Sequence, residues 1–241
     1  MTPQSNGWTT KAQVNFTPAM FSRMQLCATP GQVAAHFKVR VSDHNLFCPA
    51  DMISAFDHGF HPIIRTSEPD FLTEEYHWGL VPPDWNKPPD AIWNHTISAK
   101  LEYLNKRYSW QKIAMNRCII PATAYYEYHW NDQKGKSKTR FVITSTESRI
   151  FALAGLYAEC IQDEQVLRTF AVCTTVGNET MKFVHNKDAA RNYSRMPVML
   201  NRGDEKEWLN PEIDYLEFGY PNYNPKLTAE PQSGGVQGSL F

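Results

Sequence analysis

Four groups of residues in this chain have types and spacings that could carry chemistry. Glu127 is a lone carboxylate inside Tyr125-Tyr126-Glu127-Tyr128. Side chains alternate along a strand, so Glu127 would share a face with Tyr125 and His129. Half-buried there, the acid would have a raised pKa suited to proton transfer; on an open sheet face it would be an ordinary solvated carboxylate. His185 follows Phe183-Val184, and Arg195-Met196-Pro197 comes after a polar insertion. Such a histidine is either a general acid or base near neutral pH, with Arg195 as a phosphate ligand nearby, or a packed residue with one hydrogen bond.

The run Trp78-Gly79-Leu80-Val81-Pro82-Pro83-Asp84-Trp85 reads as a strand passing into a proline-stiffened loop. Trp78 is expected in the core, whereas Trp85 could offer a flat face to an unstacked base, a contact worth ~1–3 kcal/mol. His58 and His61, three apart around Gly59, make a poor metal site without a third ligand, so no metal and no cofactor is expected. Five cysteines, Cys27, Cys48, Cys118, Cys160 and Cys173, are odd in number and scattered, which favours buried free thiols over a disulfide framework.

Several kinds of element must position these groups. Thr29-Pro30-Gly31-Gln32 carries the signals of a capped helix start, with Val33 and Phe37 on one face. Tyr76 to Val81, Cys118 to Pro121, Tyr125 to Trp130, Arg140 to Ile143, Phe151 to Tyr157, Thr169 to Thr174 and Pro197 to Leu200 read as strands, with a hairpin turn at Asp132 to Lys136. Asn178 to His185 and Asp204 to Leu209 read as short helices. Helices and strands do not alternate regularly, so the expected class is α+β: a single domain with a curved, mainly antiparallel, barrel-like sheet flanked by short helices. The 241 residues, 42% of them hydrophobic, suffice for one substantial core. No apolar run approaches a membrane span, which points to a cytoplasmic protein. A net charge of −1 provides no global field for polyanions, so a nucleic-acid role must rest on a local basic surface and stacking side chains.

In order along the chain, three of these segments resemble the SRAP family, the SOS response-associated peptidases. The family pattern W-G-x-x-P followed by Trp matches Trp78 to Trp85. Its R-C-x-x-P-A-x-x-[FY]-[YF]-E-W matches Arg117 to Tyr128, and its I-H-N…R-M-P-V-I-L matches Val184 to Leu200. The resemblance covers roughly Met20 to Leu209. It implies recognition of abasic sites in single-stranded DNA, with a position-two cysteine linked to the ring-opened sugar as a thiazolidine. It also implies an acid/base role for Glu127 and His185 and DNA contacts from Lys100, Arg195 and Thr174.

Two positions depart from the family. Its opening M-C-[GF]-[RH]-[FY] falls on Met20-Phe21-Ser22-Arg23-Met24, so Phe21 stands where the nucleophile belongs. Its [LI]-N-A-[RK]-x-E-T falls on Ile97 to Tyr103, so Ser98 replaces the active-site Asn while Lys100 keeps the basic group. Cys27 lies six residues downstream and has no adjacent free amine with which to close a thiazolidine. The expectation is a protein that binds single-stranded or abasic DNA with the cross-linking chemistry lost. A peptidase-like hydrolase that processes its own N-terminal arm and a non-catalytic interaction scaffold are the alternatives. The expected organisation is an arm at 1–19, a domain at 20–220 and a mobile tail at 221–241, in a monomer. Within the tail, Gln237, Leu240 and Phe241 resemble the bacterial sliding-clamp-binding pentapeptide, which makes the clamp a candidate partner.

Overall fold

A computed structural model describes residues 21–41, 47–106, 108–162, 164–187 and 193–232. The elements in chain order are β1 (Arg23–Leu26), α1 (Pro30–Phe37), β2 (Arg40–Val41), β3 (Ala50–Ser54), β4 (Phe60–Arg65), β5 (Glu68–Trp78), β6 (Ser98–Lys100), α2 (Tyr108–Gln111) and β7 (Arg117–Ala122). They continue with β8 (Ala124–Trp130), β9 (Lys138–Ser145), β10 (Phe151–Gln162), β11 (Gln165–Val176), α3 (Glu179–Val184), β12 (Arg195–Pro197), β13 (Met199–Leu200), α4 (Glu205–Trp208) and β14 (Leu227–Pro231). The class is α+β, with mainly antiparallel sheets.

One sheet runs β14-β9-β8-β1-β3, and the other runs β12-β11-β10-β7-β4-β5-β2. The second closes on itself, because β11 also pairs in parallel with β5 through Thr169↔His77 and Phe170↔Trp78. Five strands, β11, β10, β7, β4 and β5, thus form a ring. The chain passes from ring to open sheet through Thr123, which separates β7 from β8; its N–H donates to the Gln25 carbonyl on β1 at 2.8 Å. Arg117 opens β7 at 2% exposure. Its guanidinium donates to the carbonyls of Trp208, Asn210, Pro211 and Ile213 at 2.7–3.3 Å, pinning the segment after α4 onto the ring. A buried cation fully met by carbonyls avoids the penalty of an unpaired charge. One core beneath α1 and α4 gathers Leu26, Val33, Leu72, Leu101 and Trp208. The other gathers Phe21, Trp78, Tyr125, Phe170 and Met181 between the two sheets and α3.

Residues 47–64 contain β3 and β4 despite Pro49, Gly59 and Pro62, with Pro62 at a register shift where no ladder N–H is needed. Two expectations change. The tail boundary at 221 is too early, because β14 forms five register pairs with β9, from Leu227↔Ser145 to Pro231↔Phe141. Cys27 is half-buried and Cys48 exposed, although all five thiols are free. Residues 1–19 of the arm and Gln237, Leu240 and Phe241 lie outside the described residues. Among the described residues no helix is long and apolar enough to cross a membrane.

Candidate functional site

The site begins with α3. Asn178 caps it by accepting the Met181 N–H at 3.0 Å, and its own amide donates to Asn224 and Pro225, which fixes the helix to the segment before β14. At the other end the N–H of His185 donates to the Met181 carbonyl at 2.7 Å. This places the imidazole, 6% exposed, against β8, with Nδ1 3.7 Å from Oε2 of Glu127, itself 15% exposed. Glu127 therefore lies on the buried side of its strand, as the proton-transfer reading requires. Burial pushes its pKa up to about 8, against the lowering effects of a bond from the Tyr128 N–H and the charges of Arg23 and Lys187. Near neutral pH the carboxyl is mostly protonated, a hydrogen-bond donor facing a histidine.

Phe21 occupies the adjoining space. It is 2% exposed, and its ring lies 5.7 Å from that of Trp78 and 5.6 Å from that of Tyr125. The Tyr125 hydroxyl donates to Met181 Sδ at 3.2 Å, which ties this aromatic group to α3. The backbone after Phe21 is held by the Ala55 N–H donating to the Ser22 carbonyl at 2.9 Å. Cys27, just after β1, offers no replacement nucleophile. Cys27 Sγ donates to Asp51 Oδ1 at 2.9 Å, and burial with that bond raises its pKa to about 11, so the reactive thiolate is scarce.

A second cluster forms where β6 and β12 flank the end of β11. The register pairs Val172 with Ser98, Thr174 with Lys100 and Val176 with Arg195. The register brings Ser98, Lys100, Thr174 and Arg195 to one end of β11, where Arg195 has protein partners of its own. At 6% exposure, its guanidinium makes a two-pronged contact to Glu102 at 2.7 and 2.9 Å and donates to the carbonyl and hydroxyl of Thr174 at 2.7 and 3.2 Å. Burial raises the Glu102 pKa, yet the Arg195 fork outweighs it and holds the carboxyl below its ordinary value. Lys100 donates to the Tyr193 hydroxyl, and its ammonium lies 4.6 Å from the Tyr193 ring centroid and 5.9 Å from that of Tyr103. Tyr193 and Glu102 escaped the sequence reading. Neither carries a local signal, since each meets its partner across 93 positions of the chain.

Gly177 and Ser194 join the two clusters. The Gly177 N–H donates to the Ser194 carbonyl at 2.9 Å, and Ser194 Oγ donates to the Met181 carbonyl at 2.8 Å. A Cβ on Gly177 would lie 2.4 Å from Ser194 Oγ, so this approach requires glycine. Trp85 is not part of either cluster. Its carbonyl accepts from Gln162, whose partner Gln165 begins β11, while Thr174 lies near the opposite end, about 30 Å along an extended strand. The histidine pair is also dispersed: His58 Nδ1 meets the Trp78 carbonyl at 2.8 Å, and His61 Nε2 meets that of Pro121 at 2.9 Å. Burial lowers the His61 pKa to about 4.

The arrangement has known counterparts. Over 145 residues the chain is 40% identical to the abasic site processing protein YoqW of Bacillus subtilis and 38% identical to YoaM of the same organism. Each match spans 58% of this chain and 59% of the relative, so it covers about three fifths of those proteins. A crystal structure of a protein from Bacteroides thetaiotaomicron superposes with a TM-score of 0.75 at 25% identity, covering 87% of this chain and 90% of that one. The family model described as SOS response associated peptidase (SRAP) matches residues 20–231, which takes in everything from Phe21 to the end of β14. The chain belongs to the SRAP family.

Proposed function

We propose that this protein acts in the response to DNA damage by binding single-stranded DNA at abasic sites and that it does so without forming a thiazolidine cross-link. The observation that carries this reading is Phe21: a buried ring stands at the family's cysteine position, beside the retained Glu127 and His185. A phenylalanine has no thiol to trap the sugar, whatever the state of its amine. The acid and the histidine remain able to hydrogen-bond the aldehyde or hydroxyls of a ring-opened sugar, with neutral Glu127 donating. Lys100 is the phosphate contact of this cleft once Tyr193 yields its hydroxyl. Arg195 and Thr174 shape the strand end beneath it, and Ser98 stands where the family's Asn would orient the sugar. Trp85 is a separate stacking contact, distant along β11. The relatives' designation as abasic site processing proteins supports the same substrate class.

The clamp is proposed as a partner through Gln237, Leu240 and Phe241, and the cytoplasm as the place of action. The test uses the full chain with fluorescent single-stranded DNA, intact or containing one abasic site. Anisotropy should rise with a preference for the abasic strand, while a denaturing gel of the same mixture shows free DNA only. A heat-stable adduct would overturn the loss of cross-linking, and equal absence of binding to both strands would overturn the substrate.

A further inference from the structure

The β8–β9 hairpin has a composition unlike the rest of the molecule. The whole chain has a net charge of −1, but residues 129–140 hold Lys134, Lys136, Lys138 and Arg140 against a single acid, Asp132. That acid is engaged with the turn itself, accepting the N–H groups of Lys134, Lys136 and Ser137 at 2.8, 3.2 and 2.6 Å. Gly135, at φ 63°, lies flat on the Trp130 indole, where a Cβ would sit 2.7 Å from ring carbons. Asn186, just after His185, completes the support by accepting the Trp130 N–H at 2.7 Å and donating to its carbonyl at 2.9 Å. Gly135 thus packs against the indole while Asn186 holds the Trp130 backbone.

Two ammonium groups converge on this ring from different elements. Lys138 Nζ, from the start of β9, lies 5.0 Å from the Trp130 centroid, and Lys187 Nζ, from the segment after α3, lies 5.3 Å from it. Among the described residues neither is within ion-pair distance of a carboxylate. An anion bound against this ring would be attracted by both ammonium groups. Trp130 is three residues from Glu127, about 10 Å along an extended strand and on the alternate side of β8, and Lys187 links the two because its charge also acts on Glu127.

We propose that Trp130, Lys138 and Lys187 form a phosphate subsite of the cleft, which holds the sugar-phosphate backbone of single-stranded DNA at a nucleotide neighbouring the one that enters between Glu127 and His185. The proposal rests on the reading of the cleft as a single-strand site and extends it along β8. Charge and continuity select the ligand: neither cation has a described carboxylate within ion-pair distance, Lys187 acts on Glu127 only from farther off, and the supporting residue Asn186 adjoins His185. Lys134 and Lys136 lie farther out on the same hairpin and extend the positive field around the subsite.

The test measures single-stranded DNA affinity across a salt series for the full chain, for Lys138→Gln/Lys187→Gln, for Trp130→Phe, and for Lys226→Gln as a remote lysine control. Each phosphate neutralised on a single strand contributes about 0.7 to the slope of log affinity against log salt. The double variant should therefore have a slope shallower by about 1.4 and bind several-fold more weakly, with an unchanged melting temperature. Trp130→Phe should keep the slope, and the control should match the native protein. An unaltered slope in the double variant, with native binding intact, would overturn the subsite and leave the cleft reading standing. No binding by the native protein would overturn both. Equal competition by a glutamate oligopeptide, lost in the double variant, would mark an acidic-protein surface and overturn the assignment to DNA.

Discussion

Glu127 Oε2 and His185 Nδ1 face each other at 3.7 Å, both largely removed from water and slightly too far apart to share a hydrogen bond. Burial raises the Glu127 pKa to about 8, so near neutral pH the acid is mostly protonated and can donate a hydrogen bond to a third polar group.

That assignment has a thermal signature. The Glu127 pKa is about 8 in the folded chain against an ordinary 4.5. The folded state therefore holds the extra proton between those values, and stability declines as pH rises through that window, with the full cost present above it. Glu127→Gln removes the titration. Its melting temperature should exceed the native one at pH 9, by roughly 2–4 °C for each kcal/mol recovered, with a much smaller difference at pH 5. A difference independent of pH would show that Glu127 ionises normally.

Phe21 should behave as a core residue. Phe21→Ala leaves a void between Trp78 and Tyr125 and should cost about 3–5 kcal/mol in denaturant unfolding. A loss below about 1 kcal/mol, within the range of a surface substitution, would mean that the ring does not fill this space.

Restoring the family's reacting residues should restore its chemistry. A chain starting at Met20 with Phe21→Cys and Ser98→Asn, once the initiator Met is removed, should form a heat-stable adduct with abasic single-stranded DNA, visible on a denaturing gel. If the altered chain folds and binds but forms no adduct, the loss extends beyond these two positions.

The Arg195–Glu102 fork should affect stability. Its depressed acid pKa places this contribution above the ordinary pH 4.5, with loss as pH falls through the folded value. Since Glu102 is 37% exposed, solvent screening limits Glu102→Gln to about 1 kcal/mol at neutral pH. Arg195→Met should cost more, because Thr174 loses its partner as well. Urea titrations at pH 7 and pH 4 check both; equal losses at the two values would remove the ionic component.

For the tail, a labelled peptide spanning 232–241 should bind a bacterial sliding clamp, and Leu240→Ala with Phe241→Ala should abolish the binding. Absence of binding at high micromolar clamp would end that proposal.

Features set by local physics were readable from the sequence. Thr29 and Gln32 exchange bonds in a capping box at the start of α1, Asn178 caps α3, and alternation placed Tyr125, Glu127 and His129 on one face. Features set by distant partners were not. β6 and β14 are short segments whose strand character comes from β11 and β9, and Pro62 reads as a breaker until a bulge accommodates it. The same limit applies within the site. Arg195 reads as a free phosphate ligand because nothing local reveals that Glu102, 93 residues earlier, occupies its guanidinium. Likewise, Lys138 and Lys187 converge on Trp130 only after the hairpin and the end of α3 have met.

The closure of the ring has a kinetic consequence. β5 and β11 are latched by two register pairs and by the Gly79 N–H, at φ +123°, donating to the Phe170 carbonyl at 2.9 Å; the joined residues lie some 90 positions apart in the chain. Contacts so distant in sequence form slowly, because the entropy of closing the intervening loop is lost before they are made. Ring closure is then a late event in folding, and Trp78, which ends β5 at this seam, is also a wall of the Phe21 pocket. Fluctuations that part the latch would loosen that pocket from behind, so the exchange rate of the Gly79 amide proton serves as a gauge of how often the site's rear wall opens.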